Sequence, residues 1–269
     1  MSDRTLTELR AHWDAFAELF EARFERATLQ LAHSLLAQLD LDEAPDLLEV
    51  GAGAGGAAVF ARRFLPQGAR HVATDLSPAM VRRIQARAPG IEALEANAED
   101  LPFADASFSR LIANLCYMLV PDPERALREA ARVLAPGGRC AFSVWGRPEH
   151  SPLFTLPPRA AEAAGVELPP VKRSNFHLGE REALLARVRA AGLTPLRAWY
   201  QPASLPVKDG ADFAQAVFSN PTWRGMAARL EPEVLRRAQA ELARLADEHL
   251  ATCAPIALEG LLVVAEREG

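Results

Sequence analysis

Asp46-Leu47-Leu48-Glu49-Val50-Gly51-Ala52-Gly53-Ala54-Gly55-Gly56 is the stretch on which the reading of this chain turns. Leu47 to Val50 predicts a short buried strand that runs straight into a glycine-rich turn. A helix is expected over 57–64, with Val59, Phe60 and Phe64 on its apolar face. Where a strand turns through glycines into a helix start, backbone N–H groups face whatever ligand sits there. Gly51 and Gly53 remove the Cβ atoms that would block the approach. Twenty-four residues after Gly51, Asp75 closes a second apolar run, His71-Val72-Ala73-Thr74. An acid at the tip of a second strand is placed to accept hydrogen bonds from the two hydroxyls of a ribose. The unit reads as a nucleoside-binding βαβ.

Upstream, residues 5–40 read as helical. Leu9, Trp13, Phe16, Phe20 and Phe24 step by four, three, four and four and so share one face. Leu29, Ala32, Leu35, Leu36 and Leu39 mark a second face, and a break is expected near 26–28. The aromatic stripe fits either core packing or a lid over a cleft. Downstream, Ser77-Pro78 predicts a capped helix start, as does Asp122-Pro123. Strands are expected over 91–96, 111–113 and 140–145, with a helix from 123 ending at Pro136-Gly137-Gly138. Residues 146–178 read as irregular, with one helix near 159–164. A helix over 180–191, a strand over 193–201, helices over 209–250 interrupted at Pro221 and Pro232, and a last strand over 256–266 complete the pattern. Strands alternating with helices predict a doubly wound parallel sheet.

The composition is that of a globular chain: 269 residues, 49% hydrophobic, 24% charged, net charge −5 and pI about 5.8. No Lys/Arg-rich run stands out, so no nucleic-acid partner is expected. The three cysteines, Cys116, Cys140 and Cys253, lack C-x-x-C spacing, which predicts reduced thiols and no metal site. No apolar run approaches the ~20 residues of a membrane span, and no signal-peptide core follows Met1. A cytoplasmic protein with no membrane partner is the expectation, and the sequence leaves a homodimer open.

Gly51, Gly53 and Gly56 also satisfy the G-x-G-x-x-G pattern of dinucleotide folds. Three features pull away from a nicotinamide cofactor: Glu49, two residues before the first glycine; the Asn97-to-Phe103 loop; and Arg132-Val133-Leu134-Ala135-Pro136-Gly137-Gly138 before the fifth strand. As a set, with Leu47–Gly56, Ala73–Ala79, Asn97–Phe108 and Pro121–Trp145, they resemble the class I S-adenosylmethionine-dependent methyltransferases. The branch is that of small-molecule enzymes similar to those of ubiquinone and menaquinone biosynthesis. The resemblance covers about residues 45–146. It implies a seven-stranded, mostly parallel, Rossmann-like sheet with N-terminal helices and a helical insertion before the last strand. The divisions expected are a helical lid over 1–44, a cofactor core over 45–146, and a substrate and lid segment over 147–269 that completes the sheet.

By that resemblance Glu49, Gly51, Ala52 and Gly53 would lie along the methionine part of S-adenosylmethionine. Asp75 would hold the ribose hydroxyls and Leu76 would pack on the adenine. Asn97, Ala98 and Glu99 form the third-strand loop near the adenine, with Ala96-Asn97-Ala98 where the family usually has Gly-Asp-Ala. Asn114 and Leu115 would border the methionine tail and the transferred methyl. Ser109 stands where the family commonly has Asp. The implied reaction is an in-line transfer of a methyl group to a small-molecule acceptor, which asks the protein for alignment and a dry cleft. His12, His150 and His177 are the candidate general bases, should the acceptor need one. Cys116 and Tyr117 fall near the expected methyl, and Trp199, Tyr200, Phe218 and Trp223 are candidates for an acceptor pocket. Two other readings remain: a nicotinamide-dependent oxidoreductase, and a methyltransferase-like protein that binds the cofactor without catalysis.

Overall fold

The structure, a computed structural model, describes residues 5–170 and 173–268. Residues 1–4 of the expected lid, and 171, 172 and 269 of the expected substrate segment, lie outside the described residues.

Helix α1 (Leu6–Leu19) starts at a capping box: Thr5 accepts from the Glu8 N–H while the Glu8 carboxylate accepts from the Thr5 N–H. A π-helical turn (Phe20–Phe24) joins it to α2 (Glu25–Leu36). The break expected at 26–28 thus comes earlier and is a widened turn, not a gap. Just past it the Glu25 carboxylate accepts from the Gly56 N–H at 2.9 Å, and single π turns within α-helices are frequent at functional sites.

Then follow β1 (Asp46–Val50), α3 (Gly56–Ala61), β2 (Arg70–Asp75), α4 (Pro78–Arg87), β3 (Glu92–Glu95), β4 (Phe108–Asn114), α5 (Pro123–Val133) and β5 (Leu134–Trp145). Helix α3 stops three residues short of the expected 64. Ser77 and Asp122 cap α4 and α5 through the Met80 and Arg125 N–H groups, with proline at the first helical position in each. Helix α5 ends at Val133, ahead of the expected Pro136-Gly137-Gly138. Its last carbonyls are taken from outside, Arg132 O by the Ala106 N–H and Val133 O by the Ser107 N–H.

The remainder comprises α6 (Pro152–Ala163), α7 (Arg181–Ala190), β6 (Leu193–Ser204), α8 (Gly210–Ser219), α9 (Pro221–Ala227), α10 (Pro232–Ala251) and β7 (Ala257–Arg267). Helix α6 is longer than the sequence suggests and carries Pro157 and Pro158 inside it. Both prolines lack the N–H that would bond one turn back. Burial of Leu153, Leu156, Pro157, Ala160 and Ala161 offsets that local cost.

The seven strands form one sheet in the order β3-β2-β1-β4-β5-β7-β6. All neighbours are parallel except β7, which is antiparallel to both β5 and β6. The fold class expected from the sequence is the one observed. The strand order reverses between β1 and β4, which opens a crevice at their carboxyl ends. Helix α2 packs across β4, β5, β6 and β7 with Leu31, Leu35 and Leu36 buried, and it approaches β7 closely. A Cβ on Gly260 would meet Leu31 Cδ1 at 2.6 Å.

Candidate functional site

The crevice holds a cavity of about 330 Å³. Its floor is the turn after β1. Gly51, Gly53 and Gly55 take φ of 67°, 60° and 87°, a region that favours glycine. A Cβ on Gly51 would come 2.7 Å from Cys116 Sγ, so the turn also needs the space. The Ala52 N–H donates to Thr74 O at 2.9 Å and ties the turn to β2.

Asp75 ends β2 and is buried. Its Oδ2 accepts from the Gly53 N–H and its Oδ1 from the Ser77 N–H, both at 2.9 Å. Burial is the largest influence on its carboxyl and lifts it from 3.8 to about 6; the two N–H groups oppose the rise and the Asp14 charge adds to it. Each Asp75 oxygen retains lone-pair capacity for a further donor. Asp14, reaching over from α1, accepts from Ser77 Oγ at 2.5 Å and the Ala79 N–H at 3.0 Å.

At the end of β4, Asn114 Nδ2 donates to Thr28 O of α2 at 3.1 Å, and its Oδ1 accepts from Ser143 Oγ at 2.7 Å. Leu115 follows in the left-handed region at φ 52°. A side chain held there costs of order 1–3 kcal/mol, and such strain concentrates at ligand sites. Here the Leu115 N–H is fixed by Ser143 Oγ at 2.9 Å.

Ten of the eleven residues expected to hold a cofactor line this one cavity: Glu49, Gly51, Ala52, Gly53, Asp75, Leu76, Asn97, Ala98, Asn114 and Leu115. Glu99 is not among them. It is buried, and its carboxylate accepts from the Asp122 N–H at the start of α5. Asn97 spends its side-chain oxygen on the Glu99 N–H at 3.1 Å.

The walls come from outside the core. Leu9, Trp13, Phe16, Phe20 and Phe24 all line the cavity. Phe154 of α6 packs against Trp145, the ring centroids 4.4 Å apart and the planes tilted by 42°, and lines the cavity too, as do Asn175, Asn220 and Trp223. Trp199, Tyr200 and Phe218 do not. Tyr200 instead donates to Gly179 O at 3.0 Å and lies under the Arg147 guanidinium. Cys116 lines the cavity, with its thiol pushed up to about 12 by burial and so held neutral. Tyr117 is buried beside Phe142, away from the cavity lining.

Of the three candidate histidines, His12 lines the cavity, its ring stacked 6.0 Å from Phe16. His150 is exposed on a short 3-10 turn. His177 holds Ser174 O through Nδ1 at 2.9 Å, and burial followed by the Arg173 charge lowers it from its ordinary value. Neither borders the cavity. Among the described residues, no group of three or more His, Cys, Asp or Glu is placed to hold a metal, and no helix is long and apolar enough to cross a membrane.

Glu25 is a charged lining residue that sequence reading missed. Its carboxylate accepts from the Gly56 N–H and pairs with Arg87 of α4 at 2.8 Å, while Arg87 also donates to Ala54 O. Beside it Glu21 pairs with Arg83 at 2.9 Å. The signal was present, because acids at 14, 21 and 25 share one face beside the aromatic stripe on the same helical segment.

Known proteins resemble the chain in sequence and in fold. The profile of a methyltransferase domain matches residues 48–142. A fatty-acid O-methyltransferase of Mycolicibacterium smegmatis is 32% identical over 65% of this chain and 65% of its own. A 27-O-demethylrifamycin SV methyltransferase of Amycolatopsis mediterranei is 27% identical over 86% and 85%. The chain spans about half the length, 44% to 46%, of several other curated relatives it matches. Among solved structures the [4+2]-cyclase SpnF superposes with a TM-score of 0.63 at 19% identity, over 98% of this chain and 97% of that one, a likeness of fold alone. Residues 48–142 thus match a methyltransferase domain, in keeping with the class I S-adenosylmethionine-dependent enzymes that the sequence resembles.

Proposed function

We propose that the protein is an S-adenosylmethionine-dependent methyltransferase acting on a small, neutral and largely apolar acceptor. The observation that carries this is the convergence of ten cofactor-type residues and the α1 aromatic stripe on one cavity. The turn fits the cofactor: it has space that a Cβ would fill at Gly51, and a buried carboxylate at Asp75 with lone pairs to spare.

When bound, the cofactor supplies an activated methyl group on a sulfonium. Asp75 accepts from the ribose hydroxyls, and Leu76, Asn97 and Ala98 bound the adenine. Glu49, Gly51, Ala52 and Gly53 follow the amino-acid part, and Asn114 and Leu115 border the reacting methyl. Residues 5–44 act as the lid, and the segment after β5 forms the acceptor wall. Trp13, Phe16, Phe20, Phe154 and Trp223 exclude water, which strengthens alignment and favours in-line attack. Glu99 has a structural part, at the start of α5.

Among the described lining residues there is no lysine or arginine, which supports a neutral acceptor. The names of the O-methyltransferase relatives support oxygen as the accepting atom. Free cysteines among the described residues are consistent with the cytoplasm as the place of action. The test is calorimetric titration with S-adenosylmethionine, S-adenosylhomocysteine and NAD. The first two should bind and NAD should not; binding of NAD alone would overturn the reading.

A further inference from the structure

Beneath the glycine turn lies a buried pair that the roles above leave unused. In the β1–β2 ladder Leu47 pairs with His71 and Glu49 with Ala73. Side chains alternate along a strand, so Glu49 and His71 project from the same face. They meet there: His71 Nε2 is 2.6 Å from Glu49 Oε1, with both side chains almost wholly buried. The other ring nitrogen, His71 Nδ1, is buried and has no partner among the described residues.

That orphan nitrogen decides where the protons sit. An imidazolium would carry a buried N–H at Nδ1 with nothing to receive it. A protonated Glu49 donating to Nε2 would put the ring's own proton on Nδ1, with the same result. Only a neutral ring with its proton on Nε2, donating to an ionised Glu49, leaves at Nδ1 a bare lone pair, and a bare acceptor is tolerated better than a buried N–H. Glu49 also lines the cavity, and its Oε2 has no hydrogen-bond partner among the described residues. The wall opposite supplies no lysine or arginine from the described lining. The pair therefore presents a negative oxygen to a cavity whose own walls do not neutralise it.

We propose that His71 is a positioning residue, which fixes Glu49 as a carboxylate aimed into the cavity to receive a primary ammonium at the amino-acid end of the bound cofactor. This rests on the cofactor reading above. It separates the sub-site for the amino-acid end, built by Glu49 and His71, from the one for the adenosine end, built by Asp75.

Two measurements test it. Nitrogen-15 NMR of the unaltered protein at neutral pH should show His71 neutral and protonated on Nε2; an imidazolium, or a proton on Nδ1, would overturn the assignment without any ligand present. Calorimetry should then compare S-adenosylhomocysteine with 5′-methylthioadenosine, which keeps the adenosine and lacks the ammonium. His71→Phe should weaken S-adenosylhomocysteine about tenfold, the scale of a charge-assisted hydrogen bond, while methylthioadenosine stays within about twofold. His71→Gln, whose amide N–H can still donate to Glu49, should recover most of the loss. Equal weakening of both ligands would reduce His71 to a packing residue, and no weakening of either would remove it from the site. Failure of the unaltered protein to bind S-adenosylhomocysteine would instead sink the cofactor reading and with it the ammonium seat, leaving the NMR result to decide the tautomer alone.

Discussion

Phe20 covers Gly53: a Cβ built on the glycine would stand 3.1 Å from Cε1 of the ring. One residue thus shapes the ligand turn and the other shuts the helical roof onto it. Gly53→Ala places a side chain at φ 60° and should destabilise the fold by about 2 kcal/mol, the scale of a left-handed non-glycine residue plus a tight contact. Adding Phe20→Leu should relieve the contact and leave the backbone strain, giving a coupling of at least about 0.5 kcal/mol in a double-mutant cycle. Strictly additive denaturation costs would show that the ring does not press on the turn.

Asp75 should make the protein less stable as pH rises from about 4 to about 6. Its folded carboxyl, at about 6, lies above its ordinary 3.8. The folded state therefore binds the proton more tightly, and that advantage, full below the lower value, is lost through the upper one. A gap of about two pH units corresponds to about 3 kcal/mol. The stability of the unaltered protein minus that of Asp75→Asn should fall by this order across the window. A flat difference would mean that the carboxyl titrates as if exposed. Because an ionised carboxylate accepts from a ribose diol more strongly than the neutral acid does, cofactor affinity should also weaken below pH 6.

The acid–arginine clamp between the roof and α4 should be sensitive to salt. Screening shortens from about 10 Å at 0.1 M salt to about 3 Å at 1 M. Hydrogen exchange in α1 and the π turn should quicken at the higher salt while β1 and β4 hold their rates. Glu25→Ala removes the partner of both the Gly56 N–H and Arg87. It should cost about 2 kcal/mol, less than a fully buried pair because Arg87 is partly exposed. Unchanged exchange in α1 at both salt concentrations would show that apolar packing alone holds the roof.

Trp223→Ala should raise the KM for the acceptor about tenfold or more, the scale of losing a buried aromatic contact, and leave the Kd of S-adenosylhomocysteine within about threefold. A parallel loss of both affinities would put Trp223 on the cofactor side of the cavity.

His150→Ala should leave kcat within about twofold, because an exposed side chain outside the cavity can take no part in proton transfer to a bound acceptor. His12→Phe keeps the ring stack and removes the nitrogens. A large fall in kcat there, at constant KM, would identify a base on α1; no fall would leave alignment as the whole of catalysis.

Much of the fold was legible because its signals are local. Ser77-Pro78 and Asp122-Pro123 announce their helices within four residues, and the caps stand where those pairs fall. The glycine turn and Asp75 were legible because backbone conformation and strand order constrain them directly. What escaped depends on partners distant in sequence. The π turn lies beside the bond from the Gly56 N–H to Glu25, a partner 31 residues away. Helix α6 runs through Pro157 and Pro158 because its apolar face is buried, which local propensity does not register. Ser109, an apparent departure, is explained by its neighbour. Its N–H and Oγ both donate to Asp46 Oδ1, at 2.5 and 2.9 Å, so Asp46 supplies a carboxylate at that join of β1 and β4. Glu99 sits in the expected loop, but its side chain turns to the Asp122 N–H, a direction that spacing alone does not give.

The placement of β7 bears on the order in which a growing chain can assemble. Nine of its eleven positions are buried, and it is wedged between β5 and β6. Until that segment leaves the ribosome, β5 presents an open edge bearing Phe142 and Val144, a surface on which nascent chains stick to one another or recruit chaperones. Leu31 of α2 rests on Gly260 of the same strand. A helix made among the first completes its seat only on a strand made among the last. The glycine turn after β1 can form early, but the helices above it are fully seated only once translation has delivered β7, so an incomplete chain would offer an open crevice and no enclosed cavity.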